Sequence, residues 1–153
     1  MKRVLLSAIF LILLSSCGVK RPYPLSIQLI NSNSGIAYSQ QGSMAVITYS
    51  MYDVKISWDV SDTGAQGVEI LAASGTDYYC SSPIATARYY ITNSSLLDST
   101  YTLDNLAQIF YTQLSKFKAG NYALCLRAVL YDSVSEPSLP VFMELRMDQQ
   151  GGI

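Results

Sequence analysis

Histidine is absent from this 153-residue chain, and cysteine (three residues), proline (five) and tryptophan (one) are scarce. Without histidine the chain cannot assemble a Ser-His-Asp or Cys-His nucleophilic site, or a metal site with imidazole ligands. Charged residues make up 14% of the sequence and form no basic cluster, which leaves nucleic-acid binding without electrostatic support. We therefore expect a protein that is not an enzyme, needs no cofactor or metal, and binds no nucleic acid.

Long apolar runs are also lacking. The amino-terminal run at residues 4–14 has eleven residues, whereas a helix that crosses a bilayer needs about 20. Lys2 and Arg3 precede this run and small residues follow it, which is the pattern of an export signal. The sequence therefore predicts a cleaved signal peptide at residues 1–16 and no permanent transmembrane span.

The signal ends in LSSC at residues 14–17, and this tetrapeptide resembles the lipobox of bacterial lipoproteins, in which Leu and two small residues precede an obligatory cysteine. The resemblance implies cleavage before Cys17 and a diacylglyceryl thioether on its sulfur, so that acyl chains anchor the protein in a membrane. Because Gly18 rather than Asp follows, it also implies sorting to the outer membrane in bacteria with two membranes. An ordinary secreted protein with a chance cysteine at the cleavage site is the alternative.

Cleavage would change the charge and leave a short spacer. Removal of the two basic residues of the signal peptide from the ten in the chain leaves eight against eleven acidic residues, a net charge of −3. Residues 17–24 then form a lipidated spacer that Pro22 and Pro24 keep extended. Within it, Lys20 and Arg21 lie beside the lipid and are expected to meet anionic head groups.

Residues 120–141 are the centre of the predicted fold. Apolar side chains occupy every second position of the first half, which is typical of a strand with one face in a core. The alternation resumes at residues 141–145 after a stretch of turn formers, which predicts a hairpin. Two such strands need an opposing sheet to cover them. The alternating side chains of the first strand are Tyr122, Leu124, Leu126, Ala128 and Leu130.

Similar but shorter patterns predict the remaining elements. The clearest is the strand at residues 53–60, where Trp58 is expected at the centre of the core, and residues 67–73 are expected to pair with the strand that begins at Tyr122. Leucine and phenylalanine recur at helical spacing within residues 105–116, with Asp104 as the N-cap, which predicts a short helix. Further strands are predicted at residues 25–29, 44–50, 87–92 and 99–103.

Four motifs resemble those of a fibronectin type III domain: ISW at residues 56–58, GNY at 120–122, RAV at 127–129 and SEPS at 135–138. In that family these places hold the core Trp, the Tyr whose strand crosses the core, the Ala that follows it and the turn before the final strand. The resemblance, or an immunoglobulin-like relationship in its place, implies an all-β fold: a two-sheet antiparallel sandwich that binds or spaces and seldom catalyses.

The domain boundaries follow from these assignments. The sandwich is expected over residues 25–147, with the one short helix inserted before the penultimate strand. Residues 148–153 are expected to form a flexible tail.

Lipidation of Cys17 leaves Cys80 and Cys125 as one pair in an oxidising space, which favours a disulfide between them. If Tyr122 faces the core, Cys125 faces away from it, so the segment around Cys80 is expected to lie beside or over the outer face of that sheet. Two free thiols are the competing outcome.

The same alternation turns the side chains of Arg127, Val129 and Tyr131 outward. On the following strand it turns the ring of Phe142 outward. The disulfide would bring the tyrosine pair beside Cys80 to this face. Such a face is more apolar than a solvated sheet, which predicts an interaction site. The alternative is that residues 74–99 fold over the face and bury it. The predicted binding residues are Tyr78, Tyr79, Arg127, Tyr131 and Phe142.

The chain contains twelve tyrosines. Tyrosine suits exposed strands in general, but it also provides large amphipathic contact areas for proteins and glycans. Our leading hypothesis is a membrane-anchored lipoprotein that mediates protein contacts in the bacterial cell envelope, and the alternative is a module that binds carbohydrate or peptidoglycan. Asp59 and Asp62 flank a turn and could contribute to a calcium site, but no calcium-loop spacing is present, so we expect solvated turn residues.

Overall fold

The structure is a computed structural model that describes residues 19–24, 26–29, 36–38, 45–48, 51–60, 63–75, 77–90, 101–103 and 106–146. Cys17, the predicted signal peptide and the predicted tail lie outside these residues, as do Asp62 and the proposed N-cap Asp104. Within the described part of the chain strands predominate and the helices are few and short, so the fold is all-β, as the sequence predicts.

The strands are short, apart from the one that the sequence places at the centre of the fold. A 3₁₀ turn at Met51–Asp53 precedes β4, and a helix with a 3₁₀ extension precedes β8. The strands are β1 (Ser26–Leu29), β2 (Ile36–Tyr38), β3 (Ala45–Thr48), β4 (Val54–Trp58), β5 (Gly67–Ser74), β6 (Ala85–Tyr90), β7 (Tyr101–Leu103), β8 (Gly120–Leu130), β9 (Ser133–Val134) and β10 (Val141–Leu145).

The strands form two sheets. The first has the order β2-β1-β4-β7, and all its pairs are antiparallel. The second has the order β3-β10-β8-β5-β6, with β9 paired to the end of β8. The predicted pairing of β5 with β8 and the predicted hairpin partnership of β8 with β10 are both confirmed, with Ile70 opposite Leu126 and Val141 opposite Leu124.

One pair departs from the expected antiparallel arrangement. β3 runs parallel to β10, with Val46 opposite Met143. Parallel partners cannot be joined by a tight turn and need a crossover connection. Here the crossover is everything between residues 48 and 141, which includes β4 to β9, so no local sequence pattern could have revealed it.

The core consists of side chains from both sheets. The alternating positions of β4, β5, β8 and β10 predicted to face inward belong to one buried cluster, to which β1 contributes Ile27. Leu130 is the exception, because it is only partly buried at the end of β8 and lies outside the cluster. Trp58 is 3% exposed and lies in this cluster, as expected. Burial of this kind contributes roughly 1.5–3 kcal/mol for each large side chain. The members from the central strands are Val54, Ile56, Trp58, Val68, Ile70, Ala72, Tyr122, Leu124, Leu126, Ala128, Val141, Met143 and Leu145.

The segment at residues 135–140 does more than turn the chain. Ser135 and Ser138 are buried, and each donates its backbone N–H to β8, to the carbonyls of Ala128 (2.9 Å) and Leu126 (2.8 Å) respectively. In return, each serine hydroxyl accepts the N–H of the same β8 residue, at 3.0 and 2.9 Å. The hydroxyls thus replace main-chain carbonyls, and the segment lies along β8 and fixes Pro137 between the two serines.

The predicted helix at residues 105–116 is present in two parts, α1 (Leu106–Ile109) and a 3₁₀ helix at Tyr111–Lys116. Its apolar side chains face the core. The Gln113 side chain reaches the edge strand β6, where it accepts the N–H of Thr86 (3.3 Å) and donates to its carbonyl (2.7 Å). Since unpaired edges template aggregation, this bidentate contact protects β6.

Tyr122 joins the end of this helical segment to the start of β8. Its hydroxyl accepts the Lys118 N–H and donates to the Lys118 carbonyl, both at 2.8 Å. The ring packs against Phe117, with centroids 5.3 Å apart, and Phe117 packs in turn against Phe110. The tyrosine therefore fixes the chain reversal that leads into the central strand.

Candidate functional site

The outer face of the second sheet carries a second, smaller apolar cluster. Leu71 and Ala73 of β5 and Ala123 and Cys125 of β8 are buried there, and Phe142 of β10 packs against them. Strand β5 is therefore buried on both faces over most of its length, whereas the alternation of its sequence predicted one buried face. The segment that covers these residues follows β5.

That covering segment is formed by residue 75 and residues 77–84, which cross the outer face between β5 and β6. It begins with a close approach: a Cβ on Gly75 would lie 2.7 Å from the Cβ of Asn121, so no larger residue fits without a shift of β8. It ends where the Ile84 N–H bonds to the Ala72 carbonyl at 2.8 Å. The expected alternative, burial of the face by residues 74–99, is thus found in part, and residues 91–99 lie outside the described chain.

Asp77 organises the middle of this segment. Its carboxylate accepts the backbone N–H groups of Tyr79 (3.3 Å), Ser81 (3.1 Å) and Ser82 (2.7 Å) and the Ser81 hydroxyl (2.9 Å). The hydrogen bonds from Ser82 and Ser81 hold the pKa of Asp77 below its ordinary value, because they stabilise the charged form. A single carboxylate thereby holds the loop that presents the tyrosine pair.

The predicted disulfide is present and fastens this loop to the sheet. Cys80 and Cys125 are fully buried and bonded, with their Cα atoms 6.3 Å apart. Cys125 projects from the outer face of β8, as the alternation predicts, and belongs to the small outer cluster. Cys80 adopts a left-handed backbone conformation (φ 48°), which turns the chain over the sheet.

The two tyrosines before the disulfide point to different places. Tyr78 is 60% exposed and contacts Phe142 edge to face, with ring centroids 5.2 Å apart. These two rings line a cavity of about 210 Å³ together with Gly75 and Asn121. Tyr78 and Phe142 were both predicted as binding residues, and the structure brings them together.

Tyr79 lines a second and larger cavity of about 360 Å³, here called the arginine cleft. Tyr79 and Arg127 meet in this cleft, as predicted, but Arg21 from the spacer also enters it, and its Nε donates to the Pro137 carbonyl. The sequence predicted contact of Arg21 with anionic head groups and did not predict this contact with the domain. The residues that define the cleft are Arg21, Tyr79, Ser81, Arg127, Glu136 and Pro137.

Arg127 also belongs to a charged ladder across three strands. Glu69 of β5 lies directly between Arg88 of β6 and Arg127 of β8. Its carboxylate is 8% exposed and contacts Arg88 at 2.8 Å and Arg127 at 3.5 Å. The Arg88 guanidinium donates hydrogen bonds to Tyr90 and to Glu69, and both raise the pKa of Arg88, the bond to Tyr90 more strongly. Burial of a lone carboxylate would be costly, so the two arginines compensate Glu69 and leave one net positive charge.

Sequence reasoning overlooked Glu69 and Arg88. Parity turns Glu69 outward, which is typical of a solvated side chain, so the sequence carried no local signal for its burial between two arginines.

Two predictions about the outer face are wrong. Tyr131 does not share a patch with Phe142: it lies in the two-residue turn between β8 and β9, with φ 52°, and is 72% exposed. Phe142 lies opposite Ala123, eight residues away along β8, which is roughly 26 Å at about 3.3 Å per residue. Val129 faces outward but is fully buried beside the β9 strand, so it offers no contact area.

The described residues offer no cluster of metal ligands. They contain no group of three or more Cys, Asp or Glu side chains that could hold a metal ion. Asp59 is exposed at the end of β4. None of the helices in the described ranges is long and apolar enough to span a membrane. What the outer face offers is exposed aromatic rings, a cleft with two guanidinium groups and backbone held rigid by a disulfide.

Comparison with known proteins provides no relative: no family model, no curated protein and no solved structure matches this chain.

Proposed function

We propose that this protein is a lipid-anchored component of the bacterial cell envelope whose immunoglobulin-like or fibronectin type III-like sandwich mediates protein contacts and catalyses no reaction. The observation that carries the proposal is the docking of residues 19–24 on the domain. Val19 packs against the core, Pro22 is buried, and Arg21 bonds to the Pro137 carbonyl. The domain thus begins almost directly after the lipobox.

The topology supports the sandwich assignment. The first sheet contains β1, β4 and β7 as neighbours, and the second contains β5, β8 and β10, which corresponds to strands A, B, E and C, F, G of such sandwiches. The Tyr122 hydroxyl bonded to Lys118 is similar to the tyrosine corner, which fixes the start of strand F in these folds. Cys125 departs from the immunoglobulin pattern because its disulfide lies on the outer face and does not join the two sheets.

The anchor geometry limits how far the domain can stand from the membrane. Cys17 precedes Val19 by two residues, and an extended chain spans at most about 3.6 Å per residue. A lipidated Cys17 would therefore lie within about 7 Å of a residue that packs on the core. A domain held so close has a restricted orientation, which suits a protein that presents one face to a membrane-bound assembly.

The contact surface that we assign to a protein partner is the pair Tyr78 and Phe142 with the adjacent Tyr79. Large aromatic side chains that are partly exposed on a rigid support are typical of interface anchors, because little conformational entropy is lost when they are covered. The loop that carries the two tyrosines is fixed by Asp77 and by the Cys80 disulfide.

The anchor is tested with Cys17→Ser in the full-length chain. We expect the protein to leave the membrane fraction or to accumulate as an unprocessed precursor, since its sulfur can no longer be lipidated. A Cys17→Ser protein of mature size that stays in the membrane fraction would contradict the anchor.

The contact surface is tested with Tyr78→Ala in the lipidated protein, with Tyr111→Ala as the matched control, because Tyr111 is 76% exposed on the 3₁₀ helix before β8. Capture of a protein partner from solubilised envelopes, measured per folded molecule, should fall at least about fivefold for Tyr78→Ala only, as expected for loss of more than about 1 kcal/mol. Retention of the protein on washed peptidoglycan, with no protein partner, would favour the carbohydrate-binding alternative.

A further inference from the structure

Two arginines line the arginine cleft, and one of them has an unpaired donor atom. Arg127 contributes a buried Nε that has no hydrogen-bond partner among the residues that the structure describes. Its Nη1 lies 3.5 Å from Glu69, which is at the long end of an ion-pair contact and leaves donor capacity towards the cleft. Arg21 also lines the cleft, and its Nε donates to the Pro137 carbonyl.

The chemistry of the cleft favours a phosphate. Guanidinium groups bind phosphate oxygens through paired, charge-assisted hydrogen bonds, and two of them line this cavity. The Ser81 hydroxyl, which donates to Asp77, lies at the wall and can only accept further hydrogen bonds, and Tyr79 provides an aromatic rim that is 72% exposed. The volume of about 360 Å³ accommodates a small polar group.

Glu136 gives the cleft a second polarity. It lines the same cavity as the two arginines, and its carboxylate accepts hydrogen bonds only. A ligand with a phosphate alone would gain nothing from Glu136 and would be repelled by it. A ligand that carries an ammonium group next to its phosphate can pair with the two arginines and with Glu136.

The position of the cleft identifies the source of such a ligand. Arg21 follows Cys17 by four residues, which span at most about 14 Å. If Cys17 carries the lipid anchor, this length lets the cleft reach the membrane head groups, which occupy several ångströms on each side of the hydrocarbon core.

We propose that the arginine cleft binds the zwitterionic head group of a membrane phospholipid, with the phosphodiester on Arg21 and Arg127 and the head-group ammonium on Glu136. This rests on the proposed lipid anchor. Together with the acyl chains, the bound head group would fix the rotation of the domain on the membrane. The contact surface of Tyr78, Tyr79 and Phe142 would then point in one direction.

The test uses the mature lipidated protein in a maltoside detergent, which contains no phosphate. Glycerophosphoethanolamine is titrated in, and the side-chain Nε–H resonance of Arg127 is followed by NMR. Inorganic phosphate is the second arm. We expect saturable binding of glycerophosphoethanolamine that is tighter than that of phosphate, with a shift of the Arg127 resonance.

Three variants and one control distinguish the outcomes. Arg21→Gln and Arg127→Gln should each weaken binding about tenfold or more, since each removes a charge-assisted contact. Glu136→Gln should abolish the preference for glycerophosphoethanolamine over phosphate. Arg146→Gln, which removes an exposed arginine of the Glu144 pair outside the cleft, should change nothing.

No saturable binding, or unchanged affinity in Arg21→Gln, would overturn the proposal. Arg21 lies on the surface, so its replacement leaves the fold intact even if the partly buried Arg127 does not tolerate glutamine. Equal affinity for phosphate with no effect of Glu136→Gln would replace the head-group site by a simple phosphate site and overturn the assignment. Failure of the anchor appears separately, as membrane retention of Cys17→Ser, and does not affect the titration.

Discussion

Replacement of Tyr122 by phenylalanine removes one oxygen atom and keeps the ring that packs on Phe117. The lost oxygen makes two hydrogen bonds with the Lys118 backbone, one as acceptor and one as donor, both at 2.8 Å. Each such bond contributes about 0.5–1.5 kcal/mol net. No cavity forms, because the ring stays, so the expected loss is about 1–3 kcal/mol in the free energy of unfolding.

The assay is urea unfolding of the mature protein in a non-ionic detergent, followed by the fluorescence of Trp58, which is the only tryptophan of the chain and is buried in the core. The midpoint should fall while the slope with urea stays constant, because the surface exposed on unfolding is unchanged. For a domain of this size the melting temperature should fall by roughly 3–15 °C.

Tyr111→Phe is the matched control, since that hydroxyl lies on an exposed ring of the neighbouring 3₁₀ helix. Its effect should stay within about 0.5 kcal/mol. If Tyr122→Phe behaves like Tyr111→Phe, the corner does not stabilise the start of β8, and one of the two supports for the sandwich assignment is lost.

Three further changes test the outer face and its edge. Replacement of Cys80 and Cys125 by alanine opens a loop of 45 residues, which should cost about 4 kcal/mol in the chain-entropy model; a reductant should destabilise the native protein but not this variant. The pKa of Asp77 is lower in the folded protein than its unfolded value of about 3.9, so its stabilisation of the loop is present above about pH 3.9 and is lost as the pH falls through the folded pKa. The amide chemical shifts of the loop should titrate at that folded pKa, and Asp77→Asn should remove the transition. Gln113→Ala should cost about 1–3 kcal/mol and increase light scattering on storage, because the Thr86 edge is freed; unchanged stability and scattering would show that the edge needs no cover.

The sequence by itself determined which side chains face the core. Alternation has a period of two because successive side chains of a strand point to opposite sides, so a run such as that from Tyr122 to Ala128 identifies its own buried face without reference to any partner. The same argument placed Cys125 on the outer face. Its pairing with Cys80 was predicted from the lipobox resemblance, which assigns Cys17 to the lipid and leaves one pair, and the structure contains this disulfide.

Parity says which side a residue faces but not what covers that side. It placed Val129 and Tyr131 on a common open face with Phe142, whereas Val129 is buried and Tyr131 lies in a turn at a distant position along β8. The burial of Glu69 was overlooked for the same reason, because its compensation by two arginines depends on the neighbours of β5 in the sheet.

Only the tertiary structure decided the arginine cleft. Arg21, Tyr79 and Arg127 are far apart in the sequence, and they meet because the spacer docks beside Pro137 while the disulfide holds the tyrosine loop over β8. The sequence predicts a turn at residues 135–138. In the structure the hydroxyls of Ser135 and Ser138 accept backbone N–H groups of β8, so this segment pairs with the strand. Such long-range contacts depend on how all the surfaces of the chain pack together. A local alternation pattern carries no information about that packing.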